Sequence, residues 1–116
     1  MTDQSCTTTP PERAAIDAGR GVLVIEFGTG WCGWCRAAQP ILNAAFDKHP
    51  DVPRLRVEDG PGRPLGRSYK VKLWPTLIFV RDGVELIRVV RPKDVATVDM
   101  AFDRLLAVPG TGSQPE

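Results

Sequence analysis

The chain has almost no net charge. Its formal balance is +1, which removes any general electrostatic argument for nucleic acid or a membrane surface as partner. No apolar run approaches the roughly 18–20 residues of a membrane span. The opening stretch, MTDQSCTTTPPER, lacks the apolar core of a secretory signal. The cytoplasm is therefore the expected compartment, and Cys6 in that polar stretch has no context for lipid attachment. Cysteine and histidine are also scarce. Three cysteines in a reducing compartment argue against a structural disulfide framework. A zinc site needs about four ligands, so Cys32 and Cys35 would have to recruit both Cys6 and His49. Covalent haem attachment needs a histidine directly after a cysteine pair, and Arg36 stands there instead.

What is present is an ordinary globular composition, 42% apolar and 25% charged, in 116 residues. That suits one domain with a modest core and no staples. The boundaries read as a disordered tail over 1–8, a domain over 9–108 and a flexible tail over 109–116. Thr9-Pro10-Pro11-Glu12 has the form of a capping box, predicting a short helix over about 11–18. Val22 to Phe27 is an apolar run too short for a helix and reads as a central strand covered on both faces. Ala38, Ile41, Leu42 and Ala45 share one helical face, so a helix runs from Gly33 to about Lys48, with Pro40 inside it. Residues 54–58 alternate as a strand, and a short helix follows over about 64–69. Strands over 76–80 and 84–90 flank Asp82-Gly83, a hairpin signal. A last helix covers about 93–107. The order implies an α/β fold with a mixed sheet of four to five strands and helices on both faces.

The sequence is organised around Trp31-Cys32-Gly33-Trp34-Cys35. The pair follows a buried strand and opens a helix, whose free N–H groups and positive dipole end stabilise a thiolate at Cys32. Cys35 lies one turn inside and less exposed, while Gly33 lets the backbone turn between them. The asymmetry suits dithiol–disulfide exchange, in which Cys32 attacks and Cys35 resolves the mixed disulfide. A structural disulfide, a zinc site or a bridging iron–sulfur cluster could also use two such cysteines. Compartment and ligand count favour exchange. Glu26 is the odd residue in its apolar strand, and a buried carboxylate needs a partner or a raised pKa.

From about Val22 to Leu106 the chain resembles the thioredoxin family. The resemblance rests on Trp31-Cys32-Gly33-x-Cys35, Pro40 in the following helix, Trp74-Pro75-Thr76, and Asp82-Gly83. It implies a thioredoxin fold and a protein-disulfide reductase active in cell redox homeostasis. Its alternative is an isomerase or oxidase of the same fold. No metal or organic cofactor is implied beyond the redox-active Cys32–Cys35 disulfide. The implied partners are protein disulfides in extended conformation and an electron-donating reductase or small thiol, with the chain acting as a monomer. The proline matching Pro75 is cis in the family, and the backbone before it pairs with substrate. Glu26 stands where the family has an aspartate that moves a proton to or from the second thiol, and Arg54 matches a nearby family lysine.

Several residues depart from the family pattern. Trp34 replaces proline, which predicts a less reducing potential. Trp74 replaces a smaller aliphatic residue, and Arg91 stands where glycine is usual. Trp31, Gly33, Trp34, Trp74, Pro75, Thr76 and Arg91 are then the candidate substrate-binding residues. Their aromatic face favours extended peptides with apolar side chains over small thiols. Arg36, Lys72 and Arg91 form a candidate basic rim. His49 reads as structural and Cys6 as an idle thiol.

Overall fold

A computed structural model describes residues 6–107. The element order is α1 (Arg13–Asp17), β1 (Val22–Gly28), α2 (Gly33–Asp47), β2 (Arg54–Glu58), α3 (Pro64–Ser68), β3 (Thr76–Arg81), β4 (Val84–Val90) and α4 (Val95–Ala107). The sheet order is β2-β1-β3-β4. β1 pairs parallel with β2 and antiparallel with β3, and β3 pairs antiparallel with β4. The parallel pair needs a crossover, which α2 supplies. This is the expected α/β architecture.

Strand alternation divides the core in two. Val24, Leu77 and Phe79 face α2 and α4, where Leu42, Phe46, Phe102 and Leu105 close the larger core. Ile25, Phe27, Ile78 and Val80 face the other way, against Ile16, Leu65 and Tyr69. Both faces of β1 are buried, as its continuous apolar run requires. Glu26 falls on the α2 side by the same alternation. The hairpin after β3 turns on Asp82 and Gly83, with φ of 51° and 82°, the left-handed pair that a two-residue turn demands.

The N-terminal segment differs from its sequence reading. α1 starts at Arg13, with Glu12 as N-cap and no side-chain cap. Thr9 caps nothing, because Pro11 forces the residue before it out of helical geometry and the segment stays extended. Thr7 had been placed in the disordered tail, yet it bridges Val57 in parallel. Its N–H donates to Arg56 O at 2.7 Å, and its carbonyl accepts from Glu58 N–H at 2.9 Å. One bridge therefore extends the edge of the sheet beyond β2. Residues 1–5 and the expected tail over 109–116 lie outside the described residues. α2 runs as one element through Pro40, which sits on its exposed side. Among the described residues no helix is long and apolar enough to cross a membrane.

Candidate active site: a cysteine pair at a helix start

β1 ends at Gly28 and α2 begins at Gly33, so the turn between them delivers Cys32 to the helix N-cap position. The Cys32 sulfur accepts the Cys35 N–H at 3.2 Å. A sulfur that caps a helix takes one of the orphan donors of the first turn and lies at the positive dipole end. Both cysteines are free thiols. Exposure does not separate them as the sequence reading expected, since Cys32 is 7% and Cys35 4% accessible. They differ in their surroundings. The Cys35 thiol is pushed up to about 12, first by burial and then by its hydrogen bond to the Cys32 sulfur, with the Thr29 backbone acting in the opposite sense. At neutral pH Cys35 holds its proton, which must leave before its sulfur can attack.

Gly28 makes room for that thiol. A Cβ at Gly28 would stand 2.6 Å from the Cys35 sulfur, well inside contact distance. Gly33 is not required in the same way. Its φ is not positive, and a Cβ there would meet nothing within 4 Å. The tight turn expected of this glycine is absent, because residue 33 is already the first residue of α2.

Beneath the pair, Glu26 is 2% exposed and fully engaged. Arg54 donates from Nε to one carboxylate oxygen at 2.8 Å, and Arg56 Nε lies 3.4 Å from the other. Gln39 donates to the second oxygen at 3.0 Å and also to the Cys35 carbonyl at 3.3 Å. It thus ties the carboxylate to the helix that carries the thiol. Arg54 reaches further, to Gln39 Oε1 at 3.0 Å and Asn43 Oδ1 at 2.7 Å. The Arg54 pairing was legible from the sequence, whereas Arg56 and Gln39 were missed. Register explains Arg56: it lies opposite Glu26 in the parallel pair, on the same face. A cavity of about 400 Å³ lined by Thr29, Cys35, Arg36, Gln39, Asn43 and Arg56 adjoins this network. A larger cavity of about 640 Å³ lies between residues 8–14 and α3, and neither Cys32 nor Cys35 lines it.

The turn before β3 supplies the other wall. The Trp74–Pro75 peptide is cis. Trp74 meets Trp31 edge to face at 5.6 Å between centroids, and its indole N–H donates to Asp59 at 2.9 Å. Asp59 is a further residue that sequence reasoning missed. Thr76 is buried, and its hydroxyl donates to Leu73 O at 2.6 Å. Its side chain therefore holds the turn and does not point to the surface. Trp31, Trp34 and Leu73 form an exposed apolar face, at 72%, 56% and 48% accessibility. Arg91 adopts φ 50°, which explains why a glycine would fit there. Its Nε donates to Trp74 O at 2.8 Å, and its guanidinium lies over Trp34 at 4.5 Å.

Among the described residues, no group of three or more histidine, cysteine or acidic side chains could hold a metal ion. His49, required by the zinc alternative, instead stacks on Phe102 at 4.2 Å.

A βαβ unit, a hairpin, a cysteine pair at a helix start and a cis-proline before the next strand define the class of thioredoxin-fold proteins. The family model described as Thioredoxin matches residues 8–102, and the chain belongs to the thioredoxin family. It is 38% identical to a thioredoxin of Chlamydia trachomatis, over 72% of this chain and 81% of that protein. A rice thioredoxin H-type is 34% identical over 66% of this chain and 62% of its own length. The chain spans about three fifths of the length of several plant relatives that it matches. Thioredoxin 2 from Pseudomonas aeruginosa PAO1, solved in its reduced form, superposes with a TM-score of 0.83 at 47% identity. That match covers 93% of this chain and all of the other.

Proposed function

We propose that this chain is a thiol–disulfide oxidoreductase that reduces protein disulfides through Cys32 and Cys35. The observation that carries the reading is the Cys32 sulfur at the N-cap of α2 accepting the Cys35 N–H. The Cys32 thiolate attacks one sulfur of the substrate disulfide, forming a mixed disulfide and expelling the first substrate thiolate. Cys35 then loses its proton and attacks the Cys32 sulfur. The Cys32–Cys35 disulfide closes and the second substrate thiolate leaves, so two electrons pass to the substrate. A partner reductase or a small thiol returns them, and no metal or organic cofactor takes part. Glu26 accepts the Cys35 proton by way of the adjoining cavity, with Gln39 as the link between carboxylate and helix. Trp31, Trp34, Trp74 and Pro75 receive an extended peptide. A reducing compartment, the cytoplasm, suits such a reductant, and the chain works as a monomer.

Trp34 sets the potential above that of a thioredoxin with proline at this position, because proline pre-sets the helical dihedral at the start of α2. Equilibration against glutathione measures it, and a potential as low as thioredoxin's contradicts this assignment. The exchange reaction itself is tested by insulin reduction. Wild type is expected to precipitate the insulin B chain while Cys32→Ser and Cys35→Ser do not. Full turnover by either variant overturns the mechanism.

A further inference from the structure

We propose that Arg91 is a specificity-determining residue that directs the Cys32 site toward disulfides flanked by acidic side chains. The assignment rests on the oxidoreductase reading above. Arg91 follows β4 directly, and its N–H donates to Pro75 O at 2.9 Å. Its side chain turns back over the same loop: Nε takes the Trp74 carbonyl at 2.8 Å, and the guanidinium covers Trp34 at 4.5 Å. One side chain thus joins the residue between the two cysteines to the residue before the cis-proline.

Two consequences follow for a bound peptide. An extended chain laid along this turn would pair through backbone groups, but the Trp74 carbonyl already has a donor. That oxygen keeps a second lone pair, so a peptide N–H pairing there would lie beside the Arg91 side chain. Meanwhile the terminal guanidinium nitrogens have no hydrogen bond to protein among the described residues. They form a planar, permanently charged fork that matches a carboxylate in two parallel hydrogen bonds. Trp34 beneath it is 56% exposed, so the cation stands at the open rim of the cysteine site. The backbone conformation adds a further indication. A left-handed φ of 50° is strained for a residue with a Cβ, and Arg91 holds it while making both side-chain contacts.

The test uses two synthetic disulfide-bridged peptides that differ only in glutamate or glutamine at the positions flanking the cysteines. Wild type is expected to reduce the glutamate peptide with a kcat/KM about tenfold above that of the glutamine peptide. The preference should shrink in high salt, because the carboxylate partner arrives at a partly exposed cation. Arg91→Gly suits the left-handed backbone; it should bring the ratio near one and expose the Trp74 carbonyl to both peptides. Arg91→Lys keeps the charge without the planar fork and should fall between. A wild-type ratio near one, or a ratio unchanged in both variants, overturns the assignment. Failure of wild type to reduce either peptide and also bis(2-hydroxyethyl) disulfide overturns the oxidoreductase reading, and the Arg91 assignment falls with it.

Discussion

Glu26 carries the largest electrostatic stake of any single residue in the site. It is 2% exposed and faces two arginines, Arg54 at 2.8 Å and Arg56 at 3.4 Å. Removing one member of a buried ionic group leaves the others without compensation, at about 3–5 kcal/mol. Glu26→Ala is therefore expected to lower the unfolding free energy by about that amount, read from the urea midpoint. A loss within experimental error would mean that the arginines find solvent instead. Gly28 makes a steric demand. Gly28→Ala places a methyl 2.6 Å from the Cys35 sulfur, and overpacking of this kind costs about 1–3 kcal/mol. The variant should lose stability and also slow the resolving step, so mixed disulfides should live longer in stopped-flow traces. Unchanged lifetimes would show that the Cys35 sulfur has room to move aside.

Cys35 also makes stability depend on pH. Burial and the Cys32 sulfur raise its pKa from 9.0 to about 12. The folded state therefore holds this proton more tightly than the unfolded chain does. Its contribution is fully present below about pH 9 and is lost as pH rises toward about 12. Tyr69 is shifted in the same direction by burial, so the comparison must be with a variant. Urea unfolding of reduced wild type and Cys35→Ala at alkaline pH isolates the thiol. Wild type should lose stability more steeply than the variant between these limits; parallel curves would contradict the burial argument.

At the scale of elements, the site is where three of them meet, and small residues set the distances. Gly66 in α3 lies against Asp59, and a Cβ there would overlap the Asp59 carboxylate. Asp59 in turn accepts the Trp74 indole N–H at 2.9 Å. A change on α3 should therefore reach the substrate face through Asp59. Gly66→Ala is expected to shift the tryptophan emission spectrum and to reorient Trp74 against Trp31. An emission spectrum and near-ultraviolet circular dichroism identical to wild type would show that Asp59 relocates without moving the indole. α2 is tied to the sheet from below by a different route. Arg54 reaches Gln39 and Asn43 on that helix while holding Glu26 on β1. The thiols are thus fixed relative to the sheet by side chains from both its neighbours in sequence order.

For the whole molecule, what could be read from the sequence and what could not follow one physical division. Periodicity reported the strands and the two long helices, because alternation and helical spacing are local consequences of burial on one or two faces. The cysteine pair and Glu26 were legible because each is chemically out of place in its segment. Gln39, Arg56 and Asp59 were not. Their roles depend on register and on turns between elements, which no short window contains. α1 was set three residues too early at its cap, since the Thr9 to Glu12 spacing fits a capping box while Pro10-Pro11 holds the backbone out of the helix. Thr76 was assigned by its place beside the motif, and its buried hydroxyl instead holds the turn through Leu73 O.

The central claim is that Cys32 attacks and Cys35 resolves. Mass spectrometry of Cys35→Ser after reaction with a disulfide-bridged peptide tests it most directly. The account predicts a stable mixed disulfide joining Cys32 to one peptide cysteine, and none from Cys32→Ser under the same conditions. Trapping through Cys35 in Cys32→Ser, with none through Cys32 in Cys35→Ser, would contradict it.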